Sequence, residues 1–174
     1  MSFIDAPYLF ESLNSHFPGA VLDTMEYRGE STVVVSKDKI KVICNHLKNE
    51  LGFTFLADRK AGDYKSVKFQ IYGWVYHVNK FGEKFEENSR FRIKCELPEN
   101  DTVIDSVTPV WRGADWLERE VYDMFGISFT GHPDLRRILM PEEYTSYPLR
   151  KDFDVRDRTE SKQCFERELS EEAD

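Results

Sequence analysis

The chain has 174 residues, 40% of them hydrophobic, enough for one domain to bury a core without metal or disulfide support. Its 24 basic and 32 acidic side chains leave a net charge of -8, which opposes binding to a phosphate backbone or an anionic lipid surface and argues against nucleic acid as a partner. Met1 to Pro7 carries neither a basic start nor an apolar run, and no stretch approaches the roughly 18 apolar residues of a membrane span, so neither a leader nor a span is expected.

Ala6 to His16 suits a first helix, stopped by Pro18-Gly19. Val21 to Tyr27 and Ser31 to Val35 read as a hairpin around Arg28-Gly29-Glu30. From Lys37 onward, Ile40, Ile43, Cys44, Leu47 and Leu51 recur at helical spacing, with Ser36 placed as N-cap and Gly52 as the stop. That pattern describes an amphipathic helix laid on a sheet. Phe53 to Arg59 resumes as a strand. Val67 to Val78 then alternates, with Val67, Phe69, Ile71 and Val75 on one face and Tyr72, Trp74 and Tyr76 on the other. So aromatic a second face calls for cover, by the chain's own helices in preference to a partner. Lys80 to Arg90 is a polar loop. Phe91, Ile93, Cys95 and Leu97 alternate with Arg92, Lys94 and Glu96 as a half-buried strand.

Asp115 is placed to cap a further helix, with Glu118 as its third following residue. Leu117, Val121 and Met124 form its apolar stripe, and Gly126 ends it. Arg119 and Asp123 stand four apart and can pair. Three carboxylates on one helix raise metal binding or acid–base chemistry, but a di-metal helix needs a Glu-x-x-His pair and a second such helix, and the sequence has neither. A solvated or interfacial ion network is the better reading.

The order α, β, β, α, β, β, β, α predicts an α+β fold over residues 1–126, helices packed on a mainly antiparallel sheet. A long irregular C-terminal arm follows over 127–158, and 159–174 is an acidic, mobile tail. The arm carries Pro133, Pro141 and Pro148 and neither helical nor strand period, a length without regular structure that is unusual inside a compact domain. Yet Leu135, Ile138, Leu139, Met140, Tyr144, Tyr147, Leu149 and Phe153 make it too apolar for a disordered tail. Arg136, Arg137, Arg150, Arg156 and Arg158 stand against the single Lys151, the bias of an interface, where arginine is enriched and lysine depleted. Arg136-Arg137 with His132 as an anion site lacks a glycine-rich loop leading into a helix, and His132 as a general base lacks a convincing orienting acid.

Cys44, Cys95 and Cys164 lie far apart without a CxxC, which points to buried, inert thiols. Cys44 and His46, two apart on a helix, face different ways and make poor joint ligands.

Glu118-Arg119-Glu120, two residues, Asp123, two hydrophobics, six residues, His132, three residues, Arg136, one residue and Ile138-Leu139 resemble the signature of the C-type subunit family of respiratory complex I, the 30 kDa-type subunit of NADH-quinone oxidoreductase. Pro141-Glu142 and Pro148-Leu149-Arg150-Lys151-Asp152 match the same family, which then continues with an aromatic and proline where this chain has Phe153-Asp154. The resemblance implies a structural and assembly subunit of a respiratory-chain translocase, without an active site of its own. It packs against the large catalytic D-type subunit at the quinone site, with the B-type and I-type subunits also in the peripheral arm. FMN and iron–sulfur clusters belong to the assembled complex, which passes electrons from NADH to quinone, and this chain binds none. Membrane association, on the cytoplasmic side of the inner membrane, runs only through the complex. The expected partner interface is Glu118, Arg119, Glu120, Asp123, His132, Arg136, Arg137, Leu139, Pro141, Leu149, Arg150, Lys151 and Asp152. Two alternatives stay open: the equivalent subunit of a ferredoxin-fed or hydrogenase-type relative, and a free-standing soluble enzyme using His132.

Overall fold

A computed structural model describes residues 6–27, 30–65, 70–80 and 89–171. The first helix, α1 (Ala6–His16), turns through Gly19 into β1 (Val21–Tyr27), which pairs antiparallel with β2 (Glu30–Val35) as the expected hairpin. Arg28-Gly29 lies outside the described residues. A short 3-10 turn (Lys37–Lys39) leads into α2 (Ile40–Asn49), whose Ile40, Ile43, Cys44 and Leu47 are all buried. Ser36 does sit at the cap position of that turn, but its side chain makes no capping bond, contrary to the sequence reading. Gly52, at φ 77°, ends the helical segment and lets the Phe53 N–H close back on the Leu47 carbonyl at 2.9 Å.

The main sheet has the order β1-β2-β5-β4-β3, with β3 (Phe55–Lys65), β4 (Gln70–Lys80) and β5 (Ser89–Pro98) joined antiparallel. Among the described residues of this sheet only the β2–β5 pair is parallel, so the fold is α+β on a mixed, mostly antiparallel sheet. Strand β3 begins two residues later than the sequence suggested and runs on to Lys65, and β4 continues two residues beyond Val78. Val67 and Phe69 lie outside the described residues, as does 81–88 of the polar loop, and the side chains of Ile71 to Tyr76 lie outside the described ones. The register sets Tyr72, Trp74 and Tyr76 beside Leu97, Cys95 and Ile93.

One face of β2 and β5 meets α1 and α2: Val33, Val35, Phe91, Ile93, Cys95 and Leu97 share a cluster with Leu9, Leu13, Ile43 and Leu47. The cluster continues through Ile104, Val107 and Trp111 into α3 (Ala114–Phe125). This third helix is held by an unforeseen pair of strands. β6 (Val103–Asp105) and β7 (Ser128–Thr130) lie parallel on either side of α3 in the chain, a crossover unit in which the strand leaving the helix returns beside the one that leads to it. Three residues are too few for a strand period to show in sequence.

Gly113, not Asp115, occupies the N-cap of α3, without a side-chain cap bond. Asp115 falls in the first turn, where a carboxylate complements the helix dipole. From Gly131 to Arg158 the described chain has neither helix nor strand. The acidic stretch read as a tail instead forms α4 (Thr159–Glu171), with the Asp157 carboxylate accepting the Thr159 N–H at 3.0 Å as the helix opens.

Candidate functional site

Helix α3 buries a charge along with its apolar stripe. Val121, Met124 and Phe125 enter the core, and Asp123, a residue earlier on the helix, is 0% exposed beneath the returning arm. Its Oδ2 accepts three successive backbone N–H groups, from Ile138 at 3.0 Å, Leu139 at 2.7 Å and Met140 at 3.0 Å. Its Oδ1 takes the Arg137 guanidinium at 2.7 Å. One carboxylate therefore satisfies a stretch of backbone that has no strand or helix of its own. Burial alone would raise the Asp123 carboxyl; the donors from Met140, Leu139, Arg137 and Ile138 outweigh it and hold the group below its ordinary value. The expected Arg119–Asp123 pair is thus replaced: Asp123 pairs with Arg137, and Arg119 Nε donates to the Arg136 carbonyl at 3.3 Å with its guanidinium over Trp116. Both of these partners lie on the arm because α3 turns Asp123 and Arg119 toward it.

Arg137 also donates to the carbonyls of Asp123 and Ser146, and its guanidinium stands over the rings of Tyr144 and Tyr147. Tyr147 is in turn packed against Gly126: at φ 72°, a Cβ added there would meet the ring at 2.6 Å. The Leu149 N–H closes on the Met124 carbonyl at 3.1 Å. At the other end of α3, the His132 side chain is fully buried, with Nδ1 accepting the Asp134 N–H at 3.1 Å and Nε2 at 3.2 Å from the Asp115 carbonyl. Both ring nitrogens are engaged, so the imidazole positions the backbone rather than facing a substrate. Glu118, also 0% exposed, points the opposite way and accepts from Ser106 Oγ at 2.6 Å and the Val107 N–H at 2.9 Å, tying α3 to the segment after β6.

The residues read as an interface therefore divide. Glu118, Arg119, Asp123 and His132 lie inside the chain, and Arg137, at 8% side-chain exposure, joins them. Arg136, at 65%, pairs outward with Asp134. Glu120, Leu139, Leu149, Lys151 and Asp152 are exposed, and Pro141 and Arg150 are half-buried, with Arg150 bound through two 3.0 Å contacts to Asp152. Trp116, 64% exposed on α3, and Val155 are exposed as well and were not singled out from sequence. Nor were Ser106 and Val107, whose bonds to Glu118 span 12 and 11 residues, a separation with no local signature.

Away from the arm, Cys44, Cys95 and Cys164 are free and buried. Burial, then Cys95 and Glu118, push the Cys44 thiol well up, and burial pushes Cys95 up to about 12. His46 leaves that face to stack near His16, ring centroids 4.5 Å apart. Among the described residues no group of three or more His, Cys, Asp or Glu could hold a metal ion, and no helix is long and apolar enough to cross a membrane.

Residues 33–159 match the family described as respiratory-chain NADH dehydrogenase, 30 Kd subunit. The C-type subunit of the NADH-quinone oxidoreductase of Citrifermentans bemidjiense is 45% identical over 143 residues, covering 81% of this chain and 84% of that relative. Its counterpart in Geobacter sulfurreducens is 42% identical over 141 residues, covering 81% of this chain and 85% of that relative. Among solved structures, the trypsin-resistant fragment (1-134) of Nqo5 superposes with a TM-score of 0.61 at 34% identity, covering 73% of this chain and 98% of the fragment.

Proposed function

Because the chain belongs to the 30 kDa subunit family of the respiratory-chain NADH dehydrogenase, we propose that it is a structural and assembly subunit in the peripheral arm of a proton-translocating NADH:quinone oxidoreductase. Its arm packs against the large quinone-site D-type subunit, with the B-type and I-type subunits among its neighbours. FMN and iron–sulfur clusters sit in other chains, which carry electrons from NADH to quinone. This chain supplies a rigid docking face, and it reaches the cytoplasmic side of the membrane through the complex alone.

The observation that carries this reading is the combination of exposed apolar side chains with a fixed backbone. Trp116, Leu139 and Leu149 are solvent-exposed, yet Leu139 is held by Asp123 and Leu149 by the Met124 carbonyl. An isolated domain gains nothing from ordering apolar groups outward. A subunit gains affinity, because the ordering entropy of docking has been met beforehand. Trp and Arg are also the side chains that dominate interface energetics.

The test is a native pull-down of the tagged chain from solubilised membranes, with mass identification and paramagnetic resonance of the eluate. Co-elution of a cluster-bearing, multi-subunit assembly is expected, and the company it keeps identifies the electron-donor module. A Leu139→Asp chain should fold normally and lose that company. Recovery of the unaltered chain alone and monomeric under gentle detergent would overturn the proposal.

A further inference from the structure

We propose that Glu160, in the first turn of α4, is a positioning residue that clasps the far end of the arm and holds residues 147–158 as a preformed docking loop. This rests on the proposed packing of the arm against the D-type subunit. Glu160 Oε1 accepts from the Thr145 N–H and from Thr145 Oγ1, and Oε2 accepts from Ser146 Oγ. Burial would raise the Glu160 carboxyl, but the Ser146 and Thr145 donors prevail and hold it low, as they do when the charged form is the one bound.

Little else among the described contacts fastens α4. Cys164 is its one buried described side chain, while Phe165 and Leu169, four apart on one stripe, are exposed. Arg167 reaches Glu143 only at 3.9 Å, with both groups half in water, a contact that contributes little. The helix is therefore attached by a polar clasp at its start. Between the clasped ends, the chain makes a closed loop with its own organisation. Arg150 and Phe153 N–H groups close on the Tyr147 and Arg150 carbonyls, and the Asp154 carboxylate takes the Arg156 N–H at 2.9 Å. Leu149 and Val155 project from it into solvent. A loop with tied ends and internal turns is ordered before it meets a partner, which lowers what association must expend on ordering it. Glu160 lies one residue beyond the stretch matched to the family.

The experiment compares the full chain with Glu160→Ala and Glu160→Gln by amide hydrogen exchange, then by pull-down from solubilised membranes. In Glu160→Ala, amides of 147–158 and of α4 should exchange about tenfold faster or more, while Ile138 to Met140 and β5 keep their protection. Glu160→Gln retains a carbonyl acceptor and should recover part of the difference. Partner recovery should fall in the same order. Unchanged exchange in Glu160→Ala would overturn the clasp. A loosened loop with undiminished partner recovery would overturn its docking role. Failure of the unaltered chain to recover any partner would refute the interface reading itself, and the exchange data would still decide whether Glu160 clasps the loop.

Discussion

Replacing Asp123 by Asn keeps the shape of the side chain and removes its charge. In one rotamer the amide oxygen faces the Ile138, Leu139 and Met140 N–H groups and the NH2 is set against the Arg137 guanidinium; in the other, three backbone donors lose their acceptor. Either way donor meets donor in a site with no exposure. Removing one partner of a buried charge pair costs about 3–5 kcal/mol, and the shared carboxylate makes the four bonds non-additive, so the pair estimate bounds the loss better than their sum. Released as local opening of the arm, about 3 kcal/mol corresponds to exchange of the 138–140 amides roughly a hundredfold faster. Amide exchange read residue by residue is the assay, with denaturant unfolding as the global control. Less than tenfold acceleration would refute the reasoning and would mean that Leu135 and Met140, packed on the core cluster, hold the arm without the carboxylate. The same bond has a pH signature. The native carboxyl is held below its ordinary value, so its stabilisation is complete above the unfolded value of about 4 and is lost as pH falls through the native one. Corrected for intrinsic exchange, protection of 138–140 should fade below about pH 4 in the unaltered chain and show no such step in Asp123→Asn.

Arg137→Ala should destabilise the isolated chain by about 3–5 kcal/mol in denaturant titration, whereas Arg136→Ala, exposed and paired with Asp134 at the surface, should shift it by less than about 1 kcal/mol and act on assembly instead; equal losses would contradict the division of the two arginines. Gly126→Ala should cost about 2–4 kcal/mol in thermal unfolding, combining a left-handed backbone with a Cβ driven into Tyr147, and a second change, Tyr147→Ala, should return only the steric part. At pH 8, iodoacetamide should leave Cys44 and Cys95 of the folded chain unmodified and label both in denaturant; fast labelling of Cys95 while folded would show that its burial is not what the structure indicates.

Legibility followed the range of the interactions. The α2 stripe, the alternation of β5 and the stop at Gly126 depend on residues three, two and one apart, and each stands in the structure as the pattern described it. Ser36 takes the cap position without making a capping bond, and Asp115 falls inside the first turn because α3 begins earlier, with Gly113 at its cap. The acidic end hid a helix because charges masked its period, and its attachment depends on Thr145 and Ser146, some fifteen positions back.

By itself, the order of residues determined the α+β layering and the spacing that marks the family, while the arm expected from residue 127 gives up Ser128–Thr130 to β7. The first two follow from local periodicity and identity along the chain. The tertiary structure alone decided which charges face inward. Arg136 and Arg137 are adjacent and chemically identical, yet one is exposed and the other is buried against Asp123. That choice depends on where the backbone of 136–140 crosses α3, and the crossing is set by the parallel return of β7 beside β6, by Tyr147 packed over Gly126 and by the reach of one carboxylate. Contacts between residues that are distant in the chain exist only once the core has brought them together, so their partners cannot be read from spacing.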